Sequence, residues 1–258
     1  MDSDYFKFFK KIIHNRGKIM SSSTDLYISG NYGLQHQDWH LSDAPYKVED
    51  LMPSLLIAAN SVENNLFRIA DIGAGVGGVL AECTQRITKA IKHLECEAVG
   101  FEISPFAVDI GRKLFPNIDL RQKTFESSDG PFDVLMFVDV LEHLENPWEL
   151  LRIANKSSEY MIIRQPLLEN FSTFRHNNYH NQREEWGHIA YFNYYSFMDM
   201  AYATGWKPIK VNLLANWELS GKEKKRASLF NRLIVKSNRV LASYLISGFY
   251  LNGIFKKA

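Results

Sequence analysis

Apolar positions along this chain alternate between short continuous runs and longer stretches in which they recur every three or four residues, the pattern of a sheet covered by helices. Residues 51–60 read as a lead-in helix. Residues 68–72 form a β-rich run that ends at glycines, and 79–93 read as a helix, so the unit is strand, glycine turn, helix. A second strand over 98–103 leads into Ser104-Pro105, a helix start, and a helix to about residue 115. A third strand near 118–123, a fourth over 132–138, a helix over 147–157 and a fifth strand over 160–164 complete a succession of β-α units. The prediction is an α/β, Rossmann-like, doubly wound sheet.

The rhythm breaks on both flanks. Residues 1–48 form an aromatic-rich N-terminal leader, in which Tyr5, Phe6, Phe9, Ile12 and Ile13 recur at helical spacing among lysines. Such a helix packs on the body or lies on a membrane surface. The remaining 49–258 read as one domain. Within it, the polar, His-rich and aromatic stretch 167–192 is too long for an ordinary connection and reads as a lid. A helix over 195–204 stops at Gly205, a strand covers 206–214, and the run Lys222 to Arg226 opens a basic helical insertion over about 218–246. Residues 249–255 close the sheet as its last strand.

Composition narrows the class. With 46% hydrophobic residues among 258, the chain can bury a full core, and a formal net charge of +1 gives no global field for a polyanion, so nucleic acid is not the expected partner. Cys83 and Cys96 lack metal-type spacing and read as reduced thiols, which suits a cytoplasmic protein. The start of the chain lacks a signal-peptide pattern, and the apolar stretch 240–255 is interrupted by Ser243, Ser247, Gly248, Asn252 and Gly253, so neither export nor a transmembrane span is expected. Peripheral membrane contact stays open.

The most informative segment is Asp71-Ile72-Gly73-Ala74-Gly75-Val76-Gly77-Gly78. Glycines 73, 75 and 78 satisfy G-x-G-x-x-G, which nicotinamide and flavin sites share. Asp71 separates the cases. A carboxylate two residues before the first glycine repels a pyrophosphate held on the following helix N-terminus, whereas it attracts the sulfonium and ammonium of S-adenosylmethionine. Glu102, followed by Ile103, ends the second strand, where an acid accepts hydrogen bonds from both ribose hydroxyls.

On these residues the chain resembles the class I S-adenosylmethionine-dependent methyltransferases. Asp71-x-Gly73-x-Gly75-x-Gly77 resembles their first motif, Glu102 their ribose acid, and Asp139-Val140-Leu141-Glu142-His143-Leu144 their segment after strand four. The likeness runs on through Ile163-Arg164-Gln165-Pro166, Gly187-His188 and Gly205-Trp206, over about residues 45–215, and in detail is similar to the type 11 and type 23 groups, which include ubiquinone-biosynthesis O-methyltransferases. It implies a seven-stranded sheet with its last strand antiparallel, and a cofactor held by Asp71, Gly73, Ala74, Gly75, Gly77, Glu102, Ile103 and Asp139. One departure is Lys123-Thr124-Phe125-Glu126-Ser127 where relatives carry an Asp with a small or apolar residue. Phe125 either stacks on the adenine or belongs to the core.

A sulfonium methyl is already electrophilic, so the protein mainly aligns a nucleophile and excludes water. For a hydroxyl acceptor, His188 and His143 are the candidate bases. Asp139, Glu142, His143 and His188 together also suit a divalent metal, as the resemblance to metal-assisted members implies. Trp39, His40, Tyr46, Lys47, Tyr179, Trp186, Tyr191 and Phe192 are candidates for an acceptor wall, and Arg164, Arg175 and Arg183 for contacts to an anionic acceptor. The expected reaction is methyl transfer to an oxygen of a small molecule. The rivals are a non-catalytic S-adenosylmethionine-binding protein, an RNA methyltransferase and a nicotinamide-dependent reductase.

Overall fold

A computed structural model describes residues 27–29, 33, 38–221 and 227–258. The leader helix around Tyr5–Ile13 and the basic run Lys222 to Arg226 lie outside the described residues. Seven strands form one sheet in the order β3-β2-β1-β4-β5-β7-β6. They are β1 (Leu66–Ile72), β2 (Glu95–Glu102), β3 (Asp119–Gln122), β4 (Phe132–Val138), β5 (Ser158–Leu167), β6 (Trp206–Ala215) and β7 (Phe249–Lys257). β1 to β5 pair in parallel, and β7 runs antiparallel between β5 and β6. The doubly wound sheet and its antiparallel last strand match the expectation.

Helices cover both faces. α1 (Ala44–Ala59), α2 (Gly78–Ala90) and α3 (Pro105–Leu114) pack on one, where Val48, Leu51, Leu55, Leu80 and Ile87 meet Phe67, Ile69, Val134 and Met136 of the central strands. α4 (Pro147–Ser157) and α7 (Tyr194–Ala203) pack on the other, against Ala70, Leu135, Phe137 and Ile163. Burial on both faces explains why β4 reads as a continuous apolar run. Between β5 and α7 lie two short helices, α5 (Phe171–His176) and α6 (Tyr179–Trp186). Between β6 and β7 lie α8 (Leu229–Ser237) and α9 (Arg239–Leu245).

Local chemistry sets the helix starts. Ser104 and Asn146 each accept from the backbone N–H three residues on, and Pro105 and Pro147 occupy the first helical position. α1 begins at Ala44, seven residues before the lead-in helix expected at Leu51, because Pro45 suits its first turn and Val48 continues the buried stripe. β5 continues beyond Arg164 to Leu167, where Pro166 and Leu167 sit opposite Tyr250 and Phe249 of β7. Among the described residues, no helix is long and apolar enough to cross a membrane.

Candidate functional site

Strand alternation decides what reaches the cleft. β1 turns Phe67 and Ile69 into the core beneath α1 and α2, so Asp71, on the same face, arrives at the carboxyl end of the strand. The following turn is tied to β2: Gly73 N–H and Ala74 N–H donate to the Phe101 carbonyl at 2.8 and 3.1 Å. Gly73 and Gly75 have φ of +73° and +55°. A Cβ on Gly73 would stand 2.8 Å from Val140 Cγ2, whereas one on Gly75 would point into open space, with nothing within 4 Å. Gly77 caps the N-terminus of α2.

Asp71 is 2% exposed, and its Oδ1 has no hydrogen-bond partner among the described residues. Burial lifts its pKa to about 8 against the pull of Lys47, and Glu102 and Asp139 add to the rise. An unpaired buried carboxylate oxygen costs free energy unless a donor meets it. An ammonium would meet it with both donors and charge. Glu102, at the end of β2, accepts from Gly75 N–H at 2.9 Å and Ser104 N–H at 2.7 Å; burial pushes its pKa up against these amides. Its carboxylate keeps lone pairs for further donors.

Two adjoining cavities, of about 810 and about 540 Å³, meet at Tyr27, Gly73, Glu102, Asp139 and His143. Asp71, Ala74 and Gly75 line the larger, and Ile103 and Phe125 the smaller. An elongated ligand lying across Glu102 would have one end at Asp71 and the other near Phe125. Phe125 is buried with its ring edge-on to Phe101, centroids 5.1 Å apart, so it is a core residue that also walls the smaller cavity.

Asp139 follows β4 with φ of +58°. Its carboxylate is ion-paired to Arg164 and to Lys47 Nζ at 3.0 Å. Burial alone would raise its pKa, but Arg164 and then Lys47 outweigh that and hold it down at about 2. These cations occupy the carboxylate, so Asp139 stands apart from the Glu142, His143 and His188 group that the sequence joined it to. The pairing also accounts for Arg164, which is buried with its guanidinium over the Tyr250 ring. Arg164 also lines the larger cavity, with its guanidinium engaged in this internal pair.

Glu142 is 1% exposed; Oε2 accepts from Gln165 Nε2 at 3.1 Å, while Oε1 has no hydrogen-bond partner among the described residues. Burial, then the charge of Asp139, raises its pKa to about 8. His143 Nδ1 lies 3.3 Å from the Gly187 carbonyl and 3.1 Å from the Tyr27 hydroxyl, and burial lowers its pKa to about 4. His188 Nδ1 lies 2.9 Å from Gln182 Oε1; burial, then His143, lowers its pKa to about 3. The Gly187 carbonyl only accepts, so His143 donates from Nδ1, and its Nε2 lies 3.9 Å from Glu142 Oε1. The rings are 4.9 Å apart, and one ligand atom each from Glu142, His143 and His188 lie within 4.8 Å of one another.

The stretch read as a lid brings His188 here. Ile189 N–H and Ala190 N–H both donate to the Glu142 carbonyl, which fastens its end to the loop after β4. Of the acceptor-wall candidates, Trp39, His40, Tyr46, Lys47 and Trp186 line the larger cavity. Tyr191 instead donates to the Tyr179 and His188 carbonyls, and Phe192 is a core residue. Arg175 and Arg183 are exposed and do not line the cavities, so the structure does not bring them to an acceptor. Sequence reasoning missed Tyr27, which sits in a segment without periodicity, and the Gln165 contact to Glu142.

Sheet order, glycine turn and paired acids on β1 and β2 define the class: an S-adenosylmethionine-dependent methyltransferase domain. The chain belongs to that family, for a family model described as a methyltransferase domain, of the type 23 group, matches residues 40–211. The mitochondrial ubiquinone biosynthesis O-methyltransferase of Schizosaccharomyces pombe is 30% identical over 94 residues, a match that spans 34% of this chain and 34% of that relative. The plantazolicin methyltransferase BpumL, solved with a monoazolic desmethyl-plantazolicin analog and S-adenosylhomocysteine, superposes with a TM-score of 0.59 at 14% identity, over 91% of this chain and 93% of that one. An S-adenosylmethionine-dependent methyltransferase from Archaeoglobus fulgidus gives a TM-score of 0.50 at 17% identity, over 78% and 93%. At such identities the structural likeness speaks for the fold.

Proposed function

We propose that this chain transfers the methyl group of S-adenosylmethionine to an oxygen of a small-molecule acceptor. The observation that carries the reading is the unpaired, buried Oδ1 of Asp71 beside a glycine turn open to the cavity. When bound, the cofactor supplies a methyl group already activated on a sulfonium. Asp71 would hold its ammonium, Glu102 its ribose hydroxyls, and Gly73 to Gly75 would let the backbone approach closely. Nucleic acid as acceptor finds no support in the chain's near-neutral charge.

His188 and His143 both line the larger cavity, and His188, carried by the lid, is the base in this reading. With a pKa of about 3 it is neutral at physiological pH. A base that weak takes the proton only as the acceptor oxygen gives up its electrons to the methyl carbon, so deprotonation runs with transfer rather than ahead of it. The lid would exclude water.

A divalent cation on Glu142, His143 and His188 is the second reading, favoured by the close grouping of one ligand atom from each and by Glu142 Oε1, which has no hydrogen-bond partner among the described residues. It would orient the acceptor oxygen. Incubation with methyl-labelled S-adenosylmethionine and a panel of phenols, catechols, hydroxy acids and amines tests both readings, with a chelator and with added metal. Label on oxygen supports the main reading, and activity restored by metal after chelation supports the second. Label only on nitrogen, or cofactor binding without turnover on any acceptor, contradicts oxygen transfer.

A further inference from the structure

Helices α8 and α9 reverse the usual arrangement of an amphipathic surface helix. On α9 the buried positions are Ala242 and Ser243, while Leu241, Tyr244 and Leu245 face solvent. On α8, Val235 is buried and Leu229 and Phe230 are 75% and 69% exposed. α9 touches both α8 and α5, and α5 adds the exposed rings of Phe171 and Phe174. Apolar side chains gathered on three adjoining helices need a covering phase.

Charge indicates which phase. The three helices carry Arg175, Arg232, Lys236 and Arg239 and no aspartate or glutamate, and of these Arg239 is paired with Glu218. Arg232 and Lys236 of α8 are exposed beside these apolar positions. A surface both apolar and basic matches an anionic lipid bilayer, which accepts hydrocarbon between its headgroups and attracts cations at them. A second copy of the chain would set this positive charge against itself. Helices of nine and seven residues cannot span a bilayer; they can lie in its interface.

We propose that α5, α8 and α9 form a face by which the protein docks peripherally on an anionic membrane surface. The insertion leaves the body through 216–221 and returns through 246–250. Asn216, Ser220, Gly221, Ser247 and Gly248 of these segments line the larger cavity, as do Ser172 and His176 of α5. Ser220 N–H and Oγ–H donate to Asp50 Oδ1 of α1, fastening the near end. Docking would therefore bring the cavity mouth to the lipid surface. The proposal stands apart from the reaction chemistry, because lipid binding needs no turnover.

The test is co-sedimentation of the full chain with phosphatidylcholine vesicles, with and without phosphatidylglycerol at about one lipid in three. The expected result is binding to the anionic vesicles only, reduced at least about tenfold by salt near 0.5 M. Leu229→Asp with Phe230→Asp, and separately Arg232→Glu with Lys236→Glu, should each abolish it. All four side chains are exposed or on an exposed helix, and unchanged thermal unfolding and S-adenosylhomocysteine binding would show the variants folded. Absence of wild-type binding, equal binding to both vesicle types, unaffected binding in either variant, or self-association through this face in place of lipid binding would each overturn the proposal.

Discussion

Lys47 of α1 sets its ammonium 3.0 Å from the carboxylate of Asp139, the residue that follows β4 in a left-handed conformation. Arg164 of β5 holds the same carboxylate from the sheet side, so one acid ties a helix and two strands together at the floor of the cleft. A buried guanidinium that loses such a partner is strongly destabilising.

Asp139→Asn is therefore expected to cost about 3–5 kcal/mol, read as a fall in the denaturation midpoint. The pH dependence follows from the depressed pKa of about 2. A carboxyl lowered on folding stabilises above its unfolded value near 4 and loses that contribution as pH falls toward 2. The gap between wild type and variant should narrow over that window, and a constant gap would contradict the pairing.

Asp71 has the opposite sign. Its pKa is raised to about 8, so the folded chain retains a proton that the unfolded chain loses, and a penalty grows from about pH 4 to about pH 8. Asp71→Asn should make the cofactor-free protein more stable at pH 8 by roughly 4–6 kcal/mol, with no difference near pH 4. Cofactor affinity should drop in the same variant. A less stable variant at pH 8 would remove the argument for strain held at the site.

The two glycines of the turn should separate folding from binding. Gly73→Ala drives a Cβ into Val140 and should cost stability first. Gly75→Ala meets no atom, so it should cost only about 1–2 kcal/mol for its positive φ, yet weaken S-adenosylhomocysteine binding more than about tenfold by filling the cleft. Equal affinity in Gly75→Ala and wild type, by calorimetry, would place the ligand elsewhere.

What could be read from the chain follows from how local each signal is. β4 and α4 carry their own boundaries, an apolar run opening after Gly130-Pro131 and Asn146-Pro147 at a helix start, and both fall where the sequence put them. The glycine turn and Asp71 were legible because charge and backbone geometry act within a few residues. β5 runs past its expected end because Gln165 and Pro166 look like terminators until β7, some 85 residues later, lies against them. The pairing of Lys47 and Arg164 with Asp139, the Tyr27 hydroxyl on His143 and the separation of Asp139 from Glu142 and the histidines all depend on distant segments meeting. No spacing encodes them.

The most direct test of the central claim is calorimetric titration with S-adenosylmethionine and S-adenosylhomocysteine, on wild type and Asp71→Ala, with NADH as control. Below pH 8, binding should release a proton from Asp71, so the observed heat should vary with the buffer's ionisation enthalpy in wild type and not in Asp71→Ala. Micromolar binding of both adenosyl ligands, weakened at least about tenfold in Asp71→Ala, is the predicted result. Failure of both to bind, or NADH binding in their place, would contradict the account.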